Sequence, residues 1–264
     1  MPRLPRLPDL LTTANLCCGV LSILLASQGQ LTIACGLIFL AAVFDVFDGL
    51  AARAMGGGSS LGAQLDSLAD MVSFGVAPGM LMYFSFQTGI MWTREDGVFL
   101  GFSAESRSSL IVSGLAMVVP VASAWRLAKF NVDKRQSHGF LGLATPANAL
   151  FWASVPLIVG SGAVLHGPAA LVLQESFCRY FTMQPNAALA TALVLAFLML
   201  SELPLPSLKF KHFGWKGNEV IYCLLGIGLV LVLLYGILAV PLILVIYLLS
   251  PLWGKLFRQE TRSK

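Results

Sequence analysis

Long apolar runs separated by short polar breaks constrain this chain more than any other feature. The hydrocarbon core of a bilayer is about 30 Å thick, and a helix needs roughly 20 apolar residues to cross it. Runs of that kind recur from end to end, and hydrophobic residues make up 57% of the chain against 11% charged residues. Soluble chains carry about 25% charged residues. The composition therefore excludes a water-soluble globule, a disordered chain and a disulfide-stapled secreted module.

We predict an all-α, polytopic integral membrane protein with about eight transmembrane helices. The last two helices share one apolar stretch, Val220 to Trp253, which would be about 50 Å long as a single helix. We therefore place a break near Tyr235-Gly236. Thr145 is expected to cap the fifth helix, with Pro146 as its first residue. The predicted segments lie at about 10–28, 31–54, 62–86, 108–130, 145–165, 186–203, 218–234 and 237–252.

Basic residues indicate the orientation of these helices, because cytoplasmic loops carry the excess of Lys and Arg. With the amino terminus inside, 14 of the 17 Lys and Arg residues fall on the cytoplasmic side, and Arg94, Arg107 and Arg179 fall outside. Both termini are therefore predicted to be cytoplasmic. The first segment lacks a small-residue cleavage site, so we expect it to be a retained helix and not a cleaved signal peptide.

Four aspartates inside the apolar helices carry the strongest functional signal, since each would cost about 2.5–3.5 kcal/mol at the bilayer centre. Asp45 and Asp48 are three residues apart and Asp66 and Asp70 four apart, so each pair shares one helical face. A glycine-rich turn makes the two helices an antiparallel hairpin, which brings the pairs together. Converging carboxylates favour a hard divalent cation such as Mg²⁺. Two alternatives stay open: a structural network with Arg53, and a pathway for cations or protons.

These residues form a recognisable pattern, Asp45-x-x-Asp48-Gly49-x-x-Ala52-Arg53, then eight residues, then Gly62-x-x-x-Asp66-x-x-x-Asp70. The pattern resembles the signature of the CDP-alcohol phosphatidyltransferase family at every fixed position. The resemblance implies transfer of a phosphatidyl group from CDP-diacylglycerol to an alcohol, with release of CMP. It implies that Asp45, Asp48 and Asp66 are metal ligands, and that Asp70 lies near the metal and takes the proton of the attacking hydroxyl. Two Mg²⁺ or Mn²⁺ ions would stabilise the attacking and leaving oxygens.

Small residues around the aspartates are candidate contacts for the cytidine nucleotide. Gly49, Ala52 and Gly62 would let it approach the helix backbones, although close helix packing explains small residues equally well. Arg53 would pair with a phosphate or with the acidic cluster. Asn15, a lone amide in an apolar helix, is expected to contact the nucleotide or to form a hydrogen bond between helices.

Several further stretches resemble the membrane-embedded phosphatidylserine synthase branch of the family: residues 11–19, 68–78, 126–131 and 142–147. Ala144 departs from the branch, which commonly has proline there. The resemblance implies L-serine as the acceptor and phosphatidylserine as the product. Arg126 is the best candidate to bind the serine carboxylate, and the pocket would be completed by Lys129, Asn131 and Ser73. The alternative is that Arg126 and Lys129 face lipid headgroups.

The predicted organisation is a family core at residues 1–216, containing six helices, and two additional helices with a basic tail at residues 217–264. The expected partners are CDP-diacylglycerol, L-serine, membrane lipids and, from the resemblance, a second copy of the chain, with no nucleic acid. We expect a bacterial inner membrane and a site that faces the cytoplasm. Rival functions are the same transfer to glycerol 3-phosphate, an inositol phosphate or choline, and a cation or proton transporter that uses the aspartates.

Overall fold

The protein is all-α in the part described by the structure, a computed structural model that covers residues 6–57, 59–87, 107–132, 140–160, 168–183, 185–205 and 219–260. Two short strands, β1 (Phe140–Leu141) and β2 (Pro204–Leu205), pair antiparallel. The helices are α1 (Leu7–Ser27), α2 (Leu31–Ala54), α3 (Ser60–Asp70), α4 (Ala77–Gln87), α5 (Arg107–Val132), α6 (Thr145–Gly160), α7 (Pro168–Met183), α8 (Pro185–Leu200), α9 (Glu219–Tyr235) and α10 (Ala239–Glu260).

By length and apolar composition alone, four stretches could cross a membrane: Leu7–Ser27, Leu31–Ala54, Ser60–Gln87 and Ile221–Pro251, the last of which contains the turn between α9 and α10. A fifth is obtained if Ala170–Thr182 and Asn186–Leu200, which meet at 96°, are taken as one broken span. Many large apolar side chains in these helices face outward, among them Phe197 at 73% exposure and Leu233 at 72%. Such a surface fits an integral membrane protein, and the prediction of eight spans stays a prediction.

The first two helices form a tight hairpin closed by Gly29, whose φ of 77° favours glycine. Small residues line their contact, and the hydroxyl of Ser22 donates to the Ala34 carbonyl at 2.8 Å. Gly19 packs α1 against the third span, because a Cβ on it would lie 2.7 Å from Ser73 Cα. The hairpin is therefore in direct backbone contact with the third span at Gly19.

The third span differs from the single regular helix predicted at 62–86. A π-helical segment, Met71–Val76, separates α3 from α4 and begins directly after Asp70. Such segments occur frequently at functional sites, because the wider turn changes the direction of side chains on either side. Here the wider turn starts next to one of the four aspartates.

One helix was missed by the sequence prediction, α7 at Pro168–Met183. It contains Gln174, Glu175 and Arg179, so it never forms the long apolar run by which the other segments were recognised. Tertiary contacts stabilise it: Gln174 Nε2 donates to the Ile158 carbonyl at 3.2 Å.

The break predicted near Tyr235-Gly236 is present. A 3₁₀ turn, Gly236–Leu238, separates α9 from α10, and Gly236 has a φ of 52°. A Cβ on Gly228 would lie 3.6 Å from Ile243 Cδ1, whereas 15 residues of straight helix would span about 22 Å. The helices α9 and α10 therefore fold back on each other.

Two further sequence predictions, the start of α6 and the division of the chain, have different outcomes. The helix α6 begins at Thr145 itself, one residue earlier than expected, and the Thr145 hydroxyl does not act as a cap. The predicted division at residues 216 and 217 lies outside the described residues, as do the basic residues Lys209, Lys211 and Lys216.

Candidate active site

Three aspartates from two helices meet at one end of the helix bundle. Asp45 and Asp48 lie in the last turns of α2 and Asp66 lies in α3, and one carboxylate oxygen of each falls within 4.8 Å of the others. Asp48 is buried, while the other two are half-buried. The predicted convergence of the two helices is therefore present in the structure.

The turn between α2 and α3 sets this arrangement. Gly56 and Gly57 take φ values of 84° and 116°, a region that other residues rarely adopt. The Oγ of Ser59 then accepts a hydrogen bond from the Gly62 backbone N–H at 2.9 Å and caps α3. The chain reverses within a few residues, which places the end of one helix beside the start of the next.

The donor set fits a hard divalent cation. Carboxylate oxygens are the ligands that Mg²⁺ and Mn²⁺ prefer, and three partly buried carboxylates this close repel one another unless a cation neutralises them. The three aspartates form a group that could hold a metal ion.

Thr12 is a residue of this site that the sequence analysis did not single out. Its hydroxyl donates to Asp48 Oδ2 at 2.7 Å, and the side chain is 3% exposed. This hydrogen bond restricts the orientation of the buried Asp48 carboxylate. The only sequence signal was its place in residues 11–19, which resembled the phosphatidylserine synthase branch.

Asp70 is set apart from the other three aspartates. It ends α3 and is not among the three whose oxygens cluster, yet its carboxylate interacts electrostatically with Asp45, Asp66 and Asp48. The Asn15 amide, fully buried, donates to Asp70 Oδ1 at 3.3 Å. Spacing alone made the four aspartates nearly equivalent, and the structure distinguishes the fourth by its partner.

The small residues predicted at the nucleotide site fall into two environments. A Cβ on Gly49 would meet nothing within 4 Å, so close helix packing does not account for this glycine. A Cβ on Gly62 would lie 2.7 Å from Asp9 Oδ1, so this glycine leaves room for the Asp9 carboxylate of α1 beside the start of α3. Ala52 is half-buried and Arg53 is exposed at the end of α2.

Arg126, the residue predicted to bind the serine carboxylate, is only 4% exposed. Its Nε donates to the Leu143 carbonyl at 3.1 Å, and its guanidinium lies 5.2 Å from the centre of the Phe130 ring. This burial is incompatible with the alternative that Arg126 faces lipid headgroups.

Two contacts between α5 and the third span fix the level of Arg126. A Cβ on Gly75 would lie 3.0 Å from Ser123 Cβ, and Asn131 Nδ2 donates to Ser67 Oγ at 2.9 Å. Arg126 lies between these contacts on one helix, and Asp70 lies between them on the other. The turn of α5 that carries Arg126 therefore packs beside the part of the third span that contains Asp70.

The other residues predicted for the serine pocket have separate partners. Lys129 Nζ lies 3.3 Å from the Leu200 carbonyl and 3.9 Å from Glu202 Oε1. Ser73 is buried, and its hydroxyl donates to the Asn15 carbonyl at 2.9 Å. Asn131 reaches Ser67, the neighbour of Asp66. These contacts place Asn131 and Ser73 near the aspartates and Lys129 beside the loop after α8.

Comparison with known proteins identifies relatives of this chain. The chain is 29% identical over 227 residues to the CDP-diacylglycerol–serine O-phosphatidyltransferase of Helicobacter pylori (strain ATCC 700392 / 26695), covering 85% of this chain and 81% of that protein. It is 29% identical over 206 residues to the Bacillus subtilis (strain 168) protein of the same name, covering 78% and 92%. It is 36% identical over 153 residues to that of Methanocaldococcus jannaschii, covering 58% and 61%.

A family model also matches most of the chain. Residues 6–248 match the model described as CDP-alcohol phosphatidyltransferase, a range that includes all four aspartates and every other residue predicted for the site. The match therefore agrees with the resemblance carried by the aspartate pattern. The chain belongs to the CDP-alcohol phosphatidyltransferase family.

Proposed function

We propose that the protein transfers the phosphatidyl group of CDP-diacylglycerol to the hydroxyl of L-serine, giving phosphatidylserine and CMP. The cluster of Asp45, Asp48 and Asp66, with Asp70 beside it, is the observation that carries the chemistry. The acceptor is supported by the relatives, which are named as serine O-phosphatidyltransferases. The sequence-based expectation of this activity agrees with those names.

Asp45, Asp48 and Asp66 hold the divalent metal, for which we propose two ions, Mg²⁺ or Mn²⁺. Ions held by these carboxylates would supply positive charge for the diphosphate and for the oxygens on which charge develops. Thr12 keeps the Asp48 carboxylate in place.

Asp70 accepts the proton of the serine hydroxyl as the new oxygen–phosphorus bond forms. The bond between the phosphatidyl phosphorus and the CMP oxygen breaks, and CMP leaves with the electron pair. A general base of this kind must lie within hydrogen-bond reach of its proton, and the amide of Asn15 holds the carboxylate in one orientation.

The nucleotide lies beside Gly49, Ala52, Arg53 and Gly62. The open space around the Cβ position of Gly49 supports its part in this site, and the exposed Arg53 is available to a phosphate. For Asn15 the hydrogen bond to Asp70 supports a role in orienting the base over direct contact with the nucleotide. Arg126 binds the serine carboxylate, and we propose Lys129, Asn131 and Ser73 as the further residues of the serine pocket.

We propose eight membrane spans with both termini in the cytoplasm, an active site that faces the cytoplasm of a bacterial inner membrane, and a homodimer. We further propose a core of residues 1–216 and two additional helices with a tail at 217–264. The buried Leu244 of α10 packs into the same cluster as Trp152 of α6, so the second part would fold onto the first.

The test is CMP release by purified protein in detergent, with CDP-diacylglycerol and each of L-serine, glycerol 3-phosphate, myo-inositol 1-phosphate and choline. We expect release with serine alone, and its loss on addition of EDTA. Release with a different acceptor would keep the aspartate chemistry and overturn the choice of serine. Because detergent abolishes any gradient, an absence of release with every acceptor would favour the transporter.

A further inference from the structure

The start of α6 buries two side-chain oxygens that have no hydrogen-bond partner among the described residues, Thr145 Oγ1 and Asn148 Oδ1. Thr145 is 1% exposed and Asn148 is 2% exposed. Three residues apart, they lie on one face of the helix. Buried polar groups in native structures nearly always find partners, and each exception needs an explanation.

A buried cation contacts the segment just before these residues. The guanidinium of Arg126 donates through Nε to the carbonyl of Leu143, two residues before α6 begins. That segment is fixed in turn, because Leu143 N donates to the Leu198 carbonyl at 3.0 Å. Arg126 is thus tied to the segment that leads directly into Thr145.

The cation and the two oxygens favour ligand groups of opposite charge. A carboxylate is stabilised by Arg126. An ammonium group is stabilised by the two oxygens. A ligand that carries both groups is an α-amino acid zwitterion.

We propose that Thr145 and Asn148 bind the ammonium group of the acceptor while Arg126 binds its carboxylate, an assignment that rests on the proposed transfer to serine. The ammonium donates to Thr145 Oγ1 and Asn148 Oδ1. Held at both charged groups, serine directs its hydroxymethyl group toward Asp70.

The same contacts discriminate against other acceptors. Glycerol 3-phosphate and inositol phosphates have no ammonium, and the quaternary ammonium of choline has no N–H to donate. Each would bury the two oxygens unpaired, and a site built to hydrogen-bond a substrate group rejects analogues that lack it. Selectivity for serine therefore resides in α6 as well as in Arg126.

The experiment measures CMP release by Asn148→Leu and Thr145→Val, which remove the acceptor oxygens and keep the branched shape of each side chain. We expect each to raise the KM for L-serine roughly tenfold or more, the effect of losing a hydrogen bond to a charged group, with the KM for CDP-diacylglycerol changed less than twofold. Thr145→Ser keeps the hydroxyl and should restore the serine KM. Ser154→Ala is the matched control, because Ser154 is a buried hydroxyl of the same helix that donates to the Phe151 carbonyl.

Inhibition by 3-hydroxypropanoate, which is serine without its ammonium group, identifies the group that is recognised. Asn148→Leu should leave the inhibition constant of this compound unchanged. A constant weakened as much as the serine KM would overturn the assignment, as would a parallel rise of both substrate KM values.

The two proposals fail differently. A wild-type protein that releases no CMP with serine contradicts the proposed function. A wild-type protein that uses serine, with unaltered serine KM in Asn148→Leu and Thr145→Val, contradicts only the assignment of the ammonium site.

Discussion

At the scale of single residues, hydrogen-bond partners distinguish two of the four aspartates. Asp48 accepts a hydrogen bond from Thr12, and Asp70 accepts one from Asn15. Both donors come from α1, so one helix orients a proposed metal ligand and the proposed base together.

Asp70→Asn should abolish turnover while retaining metal-dependent binding of CDP-diacylglycerol. The amide has nearly the same shape but cannot take the proton, and loss of a general base costs about 10²–10⁴-fold in rate. CMP release and lipid-substrate binding measured on the same preparation check this. Asp45→Asn is the comparison, since it should lose both properties, and a near-normal rate in Asp70→Asn would contradict the role as base.

Thr12→Val should raise the metal concentration needed for half-maximal CMP release by several-fold, because Asp48 loses the bond that orients it. The matched control is Thr13→Val. Thr13 is exposed, and its hydroxyl bonds only to the Asp9 carbonyl of its own helix, at 2.7 Å. An equal effect of the two substitutions on the metal requirement would remove Thr12 from the site.

At the scale of helices, close approaches position the site. Gly19 lets α1 contact the π-helical segment that begins after Asp70, and the fixed contact explains how Asn15 reaches that carboxylate. The amphipathic α7 shows the limit of reading helices from apolar runs, since its polar residues broke the pattern although tertiary contacts hold the helix.

Gly19→Ala should destabilise the protein by about 1–3 kcal/mol, because the added methyl forces α1 away from the Ser73 backbone. Gly36→Ala is the control on the neighbouring helix, since a Cβ there would meet nothing within 4 Å. Thermal unfolding in detergent measures the difference. Equal melting temperatures for the two variants would show that this approach is not tight.

At the scale of the whole molecule, the last two helices fold back on each other and pack on α6. Leu244 of α10 is 7% exposed within the cluster that contains Trp152, Phe151 and Phe181. The C-terminal hairpin is therefore part of the packing behind the proposed ammonium site, and its removal would disturb α6.

Leu244→Ala should lower stability by about 2–5 kcal/mol through the cavity that it leaves. Leu249→Ala, at a side chain 45% exposed on the same helix, should change the melting temperature much less. Thermal unfolding in one detergent compares the two variants. Similar losses from both would indicate that α10 does not pack on the core.

The sequence by itself determined the membrane class, the family and the four aspartates, because apolar length and i, i+3 or i, i+4 spacing are local properties. The break at Gly236 could also be predicted from local sequence, because the apolar stretch from Val220 to Trp253 is too long for a single crossing. Only the tertiary structure joined Thr12 to Asp48, 36 residues away, and Asn15 to Asp70, 55 residues away. Only the tertiary structure showed that Thr145, Asn148 and Arg126 are buried, since burial depends on which helices pack together and no local pattern specifies that choice.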